Sequence, residues 1–462
     1  MTSTPLSSRP GVAALRAVAP GRVHLPGEPG YEAERLPWNL AFDQRPAAVA
    51  VPETPGQVAA LVRAAHAAGL RVAPQNTGHG AGPLTGRLDD ALLLRLAALT
   101  GVTVDAEART ARVLGGTQWQ DVLEAAAPHG LTAPHGTAPD VGVVGYLLSG
   151  GLSFYGRRHG LGINTVRAVE VVMPTGELLR ADAEENPDLF WALRGGSGNL
   201  GVVTALEIDL LPYTDVVSGM LLWDGTQAEP VTRAWLDWTR GLDEAATTSL
   251  RIMEFPPLPD LPPFLSGRRV VVIDGLLTCG DAEAEALLAP LRALGAEMDT
   301  FHRMPTTEAT AVHMDPPHPA PGLTAHTVLG PLDEAGATAF LAATVDIAPL
   351  MAVELRHVGG AIARPAPHGG ALSAMPGELV AHCIALVPTR EIGAAAEAVA
   401  ERVLAALRRW EVEACALTFT DDIEPDAARV GTAFSPGTWQ RLRTIRSVYD
   451  PTSAMVAALS ID

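Results

Sequence analysis

The residues of this chain best equipped for chemistry lie in three glycine-rich stretches: QNTGHGAG (Gln75 to Gly82), HGTAPDVGVVGYLLSGG (His135 to Gly151) and RGGSGNLGVVT (Arg194 to Thr204). Glycine opens backbone conformations that crowd successive N–H groups around an anion, which suits a pyrophosphate. The candidate binding positions are Gln75, Asn76, Thr77, Gly78, His79, Gly80 and Ala81 in the first stretch; Gly136, Thr137, Ala138, Val141, Gly142, Gly145, Gly150 and Gly151 in the second; and Gly201, Val202 and Val203 in the third. The third contains a literal GxGxxG at Gly196, Gly198 and Gly201. An NAD fingerprint follows a strand and opens a helix, whereas this one follows the helical NPDLFWALRG and opens the extended VVTALEI, so the NAD reading is rejected.

A second group lies in the later half. Along Met351 to Val358, alternation puts Ala352, Glu354 and Arg356 on one face of a strand, and Val353, Leu355 and His357 on the other. Glu354 is then a carboxylate in an otherwise apolar strand. Facing a desolvated cavity, its pKa would rise toward the working pH, as a general base requires. The other reading is an ion pair of Glu354 with Arg356 on a wetted face. His382, in LVAHCIALV, is either a further cavity residue or a satisfied core histidine. His313, His318 and His326 run through a proline-rich loop without carboxylate or cysteine partners at ligand spacing, so no metal site is expected. Arg157, Arg158 and His159 either neutralise a diphosphate or stay solvated, and Tyr155 is either core or cofactor edge.

The elements that must position these groups follow a compact grammar. Thr54 and Gln57 form a capping box with Pro55 at the first helical position, Val58, Leu61, Val62 and Ala65 recur at helical spacing, and Gly69 stops the helix. Thr117 and Gln120 predict a second box with Gly130 as the stop, and Asn186 caps NPDLFWALRG. Strands LRVAP, LLLRL, VTVDA and TARVLGG, the hairpin AVEVVMPTGELLRA and the strand GVVTALEIDLLP complete a first unit ending near residue 212. Longer strands then alternate with amphipathic helices, predicting one antiparallel sheet with helices on one face. The tail TWQRLRTIRSVYDPTSAM reads as a helix and turn packing back on the first unit.

The order of helix, strand, Gly-His loop, Gly-x-x-Pro-x-Val-Gly loop, Pro-Thr-Gly hairpin and DLFWALRGGSGNLGVVT resembles the FAD-binding domain of the vanillyl-alcohol-oxidase and berberine-bridge-enzyme superfamily, over roughly residues 37 to 212. The tail's Tyr449-Asp450-Pro451 fits too, and LRHVGGAIARPAP with MDPPHPAPG resembles a bacterial branch. The resemblance implies an α+β fold: a two-part PCMH-type FAD-binding domain (1–212), a substrate domain with an antiparallel sheet backed by helices (213–416), and a C-terminal segment (417–462) returning to the first. It also implies an FAD-dependent oxidase that transfers hydride from a small organic substrate, an alcohol or a secondary-metabolism intermediate such as an antibiotic precursor, to the flavin, with reoxidation by dioxygen. A monooxygenase and a redox-silent cyclase share the same cofactor motifs. In relatives the first-loop histidine is joined to the flavin 8α-methyl carbon, and His79 occupies that position. The electron-poor isoalloxazine acidifies the methyl and a neutral imidazole is a competent nucleophile; a Gly-His pair by itself would equally fit an imidazole hydrogen-bonded within its loop. Relatives with two flavin bonds carry cysteine where Ala138 stands, so at most one bond forms. Ser453 replaces a frequent asparagine, and Phe434 stands near where some relatives carry tyrosine, which argues against a tyrosine base. Relatives place a carboxylate on a strand comparable to that of Glu354, while Trp38 and Asn39 look like framework.

Composition bounds the rest. At 462 residues the chain favours two domains around a cleft. A net charge of -19 without a single lysine offers no basic stripe, so nucleic acid and anionic membranes are poor partners. Cys279, Cys383 and Cys415 are odd in number and far apart, hence neither a disulfide framework nor a CxxC site. No sustained apolar run marks a leader or a span, which predicts a cytoplasmic protein, monomer or homodimer. The lysine-free, Ala- and Arg-rich composition resembles that of a high-GC bacterial genome.

Overall fold

The computed structural model describes residues 10–257, 259, 261–421 and 427–461. Residues 1–9 of the N-terminal stretch, and 422–426 and 462 of the C-terminal segment, lie outside the described residues. Three sheets organise the described residues. The first joins β1 (Val23–His24), β2 (Ala48–Ala50), β3 (Arg71–Gln75) and β4 (Ala91–Arg95) in the order β1-β2-β4-β3, with β2, β4 and β3 parallel. A parallel pair needs a crossover, and the helix Pro55–Ala67 provides it, burying Val58, Leu61, Val62 and Ala65. Thr54 caps it as expected, accepting from the Gln57 N–H, but the Gln57 side chain takes the N–H of Glu53 instead of that of Thr54.

The second sheet is antiparallel: β5 (Val102–Asp105), β6 (Thr110–Leu114), β7 (Val166–Val172), β8 (Leu178–Asp182) and β9 (Val202–Asp209), in the order β5-β6-β9-β7-β8. Two expected caps are corrected here. The helix Trp119–Ala126 is capped by Gln118 with Asp121, not by Thr117 with Gln120, because the Thr117 hydroxyl is engaged with both backbone groups of Gly101. Asn186 precedes the helix Pro187–Gly196 in a left-handed conformation and donates to the carbonyl of Arg180, so it closes the preceding turn without capping the helix. That helix leads into β9, the helix-then-strand polarity read from the sequence.

The third sheet has eight strands, all paired antiparallel: β10 (Asp215–Asp224), β11 (Ala246–Glu254), β12 (Arg269–Leu277), β13 (Met298–Asp299), β14 (His302–Pro305), β15 (Gly322–Leu329), β16 (Ala352–His357) and β17 (Leu379–Leu386). Its order is β13-β10-β12-β11-β16-β17-β15, with β14 also on β10. Helices Ala228–Thr239, Asp281–Arg292, Glu334–Ala343 and Arg390–Leu407 cover one face, packing Trp235, Leu288, Phe340 and Val403 with Leu250, Ile273, Val353 and Leu355. The other face carries Ala352, Glu354 and Arg356, as the alternation predicted. β15 corrects the reading of a loop around His326: the prolines end before Gly322, and the strand pairs along its whole length with β17.

After the helix Pro436–Tyr449, the buried Asp450 carboxylate accepts the N–H groups of Ala454 and Met455 and bends the tail against β3, where Val456 donates to Val72 and Val72 to Ala454. Ser453, in that bend, has a φ of 52°, a conformation to which asparagine is better suited. No helix among the described residues is long and apolar enough to cross a membrane.

Candidate active site

β3 delivers the first glycine loop. Gln44 donates to the side-chain oxygen of Gln75, while Gln75 Nε2, Asn76 Oδ1 and His79 Nε2 are buried without a hydrogen-bond partner. The N–H groups of Thr77 to Ala81 find no acceptor among the described residues. Gly78 holds φ +85° with Pro37 only 2.8 Å from where a Cβ would sit, yet at Gly80 a Cβ would meet nothing within 4 Å. Unpaired donors and open space at one loop are what an anionic dinucleotide would fill. FAD fits this part of the chain.

The other candidate binding residues divide. Thr137, Ala138 and Val141 are half-buried and Gly145 is exposed with free space above it, whereas Gly136 and Gly142 press against Tyr146 and Asn76. Gly150 and Gly151 already donate their N–H groups to Leu147 and to the Thr418 hydroxyl. Gly201 lets β9 approach Val172, where a Cβ would lie 2.5 Å from the carbonyl oxygen, and Val202 and Val203 are buried core. These last five positions are engaged in packing or in hydrogen bonds within the protein.

His79 is held from three sides. Its ring stacks on Trp38 at 4.3 Å, Nδ1 is 2.8 Å from the Thr77 hydroxyl, and Nε2 is 3.7 Å from Asp140, whose other oxygen accepts from Trp38 Nε1 at 2.5 Å. Burial would raise the Asp140 carboxyl, but the contacts with His79 and Trp38 outweigh it and hold it below its ordinary value. Trp38, read as framework, therefore belongs to the site.

The face of the third sheet opposite its helices carries a polar row set by register. His326 on β15 lies opposite His382 on β17, His382 opposite Glu354 on β16, and Glu354 opposite Arg251 on β11; beside them Arg356 lies opposite Ser249, and Ser249 opposite Asp274. Arg356 donates through Nε to Glu354 Oε1 at 2.7 Å, and His382 Nδ1 approaches Oε2 at 3.5 Å. The ion pair with Arg356 is real, but the face is dry: Glu354 is 0% exposed and Arg356 9%. Burial alone would raise the carboxyl of Glu354, yet Arg356, His382 and His313 prevail and hold it well below the usual carboxylate range. The expectation of a base with a raised pKa is thus corrected, because desolvation is outweighed by a guanidinium in contact.

His313 is not a loop residue without partners. Its Nδ1 is 2.8 Å from Asp274, which also accepts from Arg251 and Ser249 and is held at about 2 by Arg251 and His313 against the opposing effect of burial. His313 Nε2 is 3.5 Å from Arg356, which joins the two clusters. Sequence reasoning missed Asp274 and Arg251, although a lone acid in VVIDGLL carries the same signal that singled out Glu354. Among the described residues no group of three His, Cys, Asp or Glu is placed to hold a metal. Arg157 is also corrected: buried, it donates four of its five N–H groups to the carbonyls of Val358, Leu242, Asp243 and Ala246, bracing the sheet instead of meeting a diphosphate or solvent. Tyr155 is core, stacked on Tyr213, to which His159 is bonded, while Arg158 reaches the Thr278 hydroxyl.

Two bridges tie the polar row to the glycine loops. Thr137 donates to Asp315, two residues beyond His313. Thr418 bonds Ser149 and Gly151, and the adjacent Phe419 stacks on His382 at 4.6 Å and lies 5.2 Å from the Arg356 guanidinium. A cavity of about 860 Å³ lies elsewhere, between β15 and the helix Arg390–Leu407; of the row, only His326 lines it, and it does not open over Glu354.

Comparison with known proteins bears on both halves. Residues 46–182 match the family described as FAD binding domain. The chain is 32% identical over 211 residues to (R)-6-hydroxynicotine oxidase of Paenarthrobacter nicotinovorans, covering 45% of this chain and 46% of that protein. It is 30% identical over 203 residues to a FAD-dependent monooxygenase of Penicillium roqueforti, covering 44% and 40%. The chain thus spans less than half the length of these curated relatives. By structure it superposes on 6-hydroxy-D-nicotine oxidase from Arthrobacter nicotinovorans with a TM-score of 0.84 at 23% identity, over 96% of this chain and 98% of the other. Glucooligosaccharide oxidase from Acremonium strictum, described with a 6-S-cysteinyl, 8α-N1-histidyl FAD, gives 0.81 at 20% identity, over 98% and 99%. The fold is therefore the PCMH-type α+β architecture expected from the resemblance.

Proposed function

We propose that this chain is an FAD-dependent oxidase that oxidises a C–H bond of a small organic substrate and returns the electrons to dioxygen, with FAD joined by a single bond to His79. The observation that carries the reading is the first glycine loop, where unpaired side-chain atoms and unpaired amides adjoin an open space inside the FAD-binding domain. Bound there, FAD supplies the hydride acceptor. Thr77 to Ala81 hold its phosphates through main-chain N–H groups, and Ala138 offers no thiol for a second bond. Residues 1–212 with 417–462 form the cofactor domain and residues 213–416 the substrate domain.

The proton is handled by Glu354 and His382 together, Arg356 serving as the counter-ion. Pinned by Arg356, Glu354 is a weak proton acceptor by itself. Its negative charge favours the His382 tautomer with the proton on Nδ1, which leaves Nε2, buried without a hydrogen-bond partner, to take a proton from substrate. Phe419 keeps the ring in that plane and excludes water from its face. The secondary-metabolic setting, the bacterial origin and the cytoplasmic location remain part of this proposal, resting on composition and resemblance.

The test is an intact-mass measurement on denatured protein from riboflavin-replete cells, beside its visible spectrum. A flavin-sized increment that His79→Ala abolishes supports the reading; colourless protein that takes up no FAD refutes it. A monooxygenase is the second reading, favoured by the relative of that name. Oxygen from labelled dioxygen appearing in product would select it.

A further inference from the structure

The surroundings of His79 are more specific than a cofactor loop requires. Three groups meet the imidazole there: an indole stacked on it at 4.3 Å, a hydroxyl 2.8 Å from Nδ1, and a carboxylate that is 3.7 Å from Nε2 and hydrogen-bonded to the same indole. The carboxylate comes from the second glycine loop, 61 positions after the histidine, and the indole from the segment whose backbone pairs with the first loop, Trp38 N–H donating to the Thr77 carbonyl and Asn39 N–H to that of Gly78. Three chain segments thus converge on one ring.

We propose that Trp38, Thr77 and Asp140 are positioning residues that fix the tautomer and plane of His79 so that Nδ1 is the atom that bonds the flavin. The inference rests on the proposed His79 attachment and deepens it. A carboxylate beside Nε2 favours the proton on that nitrogen, and a hydroxyl can donate to a lone pair on Nδ1; both contacts select the same neutral tautomer. Trp38 prevents the ring from turning, and its N–H anchors Asp140. Asp140 is held ionised by these contacts, which supports the assignment.

The 8α-methyl loses a C–H proton, the Nδ1–C8α bond forms, and the Nε2 proton passes toward Asp140. The two electrons of the broken C–H bond remain on the isoalloxazine and reduce dioxygen, the oxidant of the proposed reaction, to hydrogen peroxide with the two protons.

The experiment compares wild type, Asp140→Asn, Asp140→Glu, Thr77→Val and Trp38→Phe, purified identically. Native visible absorbance reads total flavin, and denatured intact mass reads the bonded fraction. Asp140→Asn should stay yellow while its bonded fraction falls at least tenfold, with Asp140→Glu recovering part of it. In flavin-free full-length protein, before any bond forms, nitrogen-15 NMR of labelled histidine should show His79 protonated on Nε2 in wild type and a mixture in Asp140→Asn. Should that variant fail to fold, Thr77→Val and Trp38→Phe carry the same expectation of reduced attachment. A wild-type bonded fraction in all the folded variants, or an unchanged tautomer, overturns the collar alone. Yellow wild type without a mass increment overturns the attachment and the collar with it, and colourless wild type overturns the FAD reading itself.

Discussion

Glu354 and His382 face each other across β16 and β17, with 3.5 Å between Oε2 and Nδ1 and no solvent at the carboxylate. A carboxylate in that position orients an imidazole and stabilises its charged form. Glu354→Gln should therefore leave the protein yellow and slow turnover about a hundredfold or more. His382→Asn should cost at least as much. Rapid-reaction measurement of flavin reduction with any accepted substrate decides it; an unimpaired Glu354→Gln would remove the pair from the mechanism.

Arg356 holds that carboxylate in a dry place, so its loss leaves a buried charge unpaired. Arg356→Met should lower folding stability by about 3–5 kcal/mol at neutral pH. The double variant Glu354→Gln with Arg356→Met should recover much of the loss, and denaturant titration of the three proteins reads the coupling.

Acid should expose the same network. Asp274 titrates at about 2 in the folded protein against about 4 in an unfolded chain. Its pKa is depressed by folding, so its contribution is complete above about pH 4 and is lost as pH falls toward 2. Glu354 shifts in the same direction. Thermal melts between these values should show a steep decline, shallower in Asp274→Asn, which should already be less stable at pH 7.

Arg157 offers a clean contrast, because it spends its donors on four carbonyls of the substrate-side sheet and its connections. Arg157→Leu should destabilise the fold by about 3 kcal/mol or more, since buried carbonyls lose their partners. Flavin content per folded molecule should not change. Loss of flavin without loss of stability would restore a phosphate-binding role.

Two glycines separate cradle from scaffold. Gly80→Ala adds a methyl where nothing lies within 4 Å, so melting of flavin-free protein should be unaffected while flavin occupancy drops. Gly201→Ala forces a Cβ to 2.5 Å from the Val172 carbonyl oxygen and should destabilise the second sheet. Calorimetry and absorbance on both variants distinguish the effects.

What could be read in the sequence was what is local. The glycine loops, the capped helix at Thr54, the alternation through Glu354 and the reversed polarity around Gly201 each depend on a short window. The pairing of His326 with His382, the buried partnership of Asp274 with His313 and the stacking of Trp38 on His79 join segments distant along the chain, and register across strands cannot be read from either strand alone. β15 was hidden by the prolines before it, which look like a loop until the edge of β17 is known to need a partner. Arg157 shows the converse: beside a glycine loop it invited an electrostatic role, while its hydrogen bonds run to carbonyls far along the chain.

The pairing of Ala454 and Val456 with Val72 has a consequence for biosynthesis. β3, which aims the Gly-His loop, gains this neighbour only once residues 454 to 456 have been synthesised. Chains truncated before Ala454 leave that side of β3 without its neighbour and should emerge without the flavin proposed for His79.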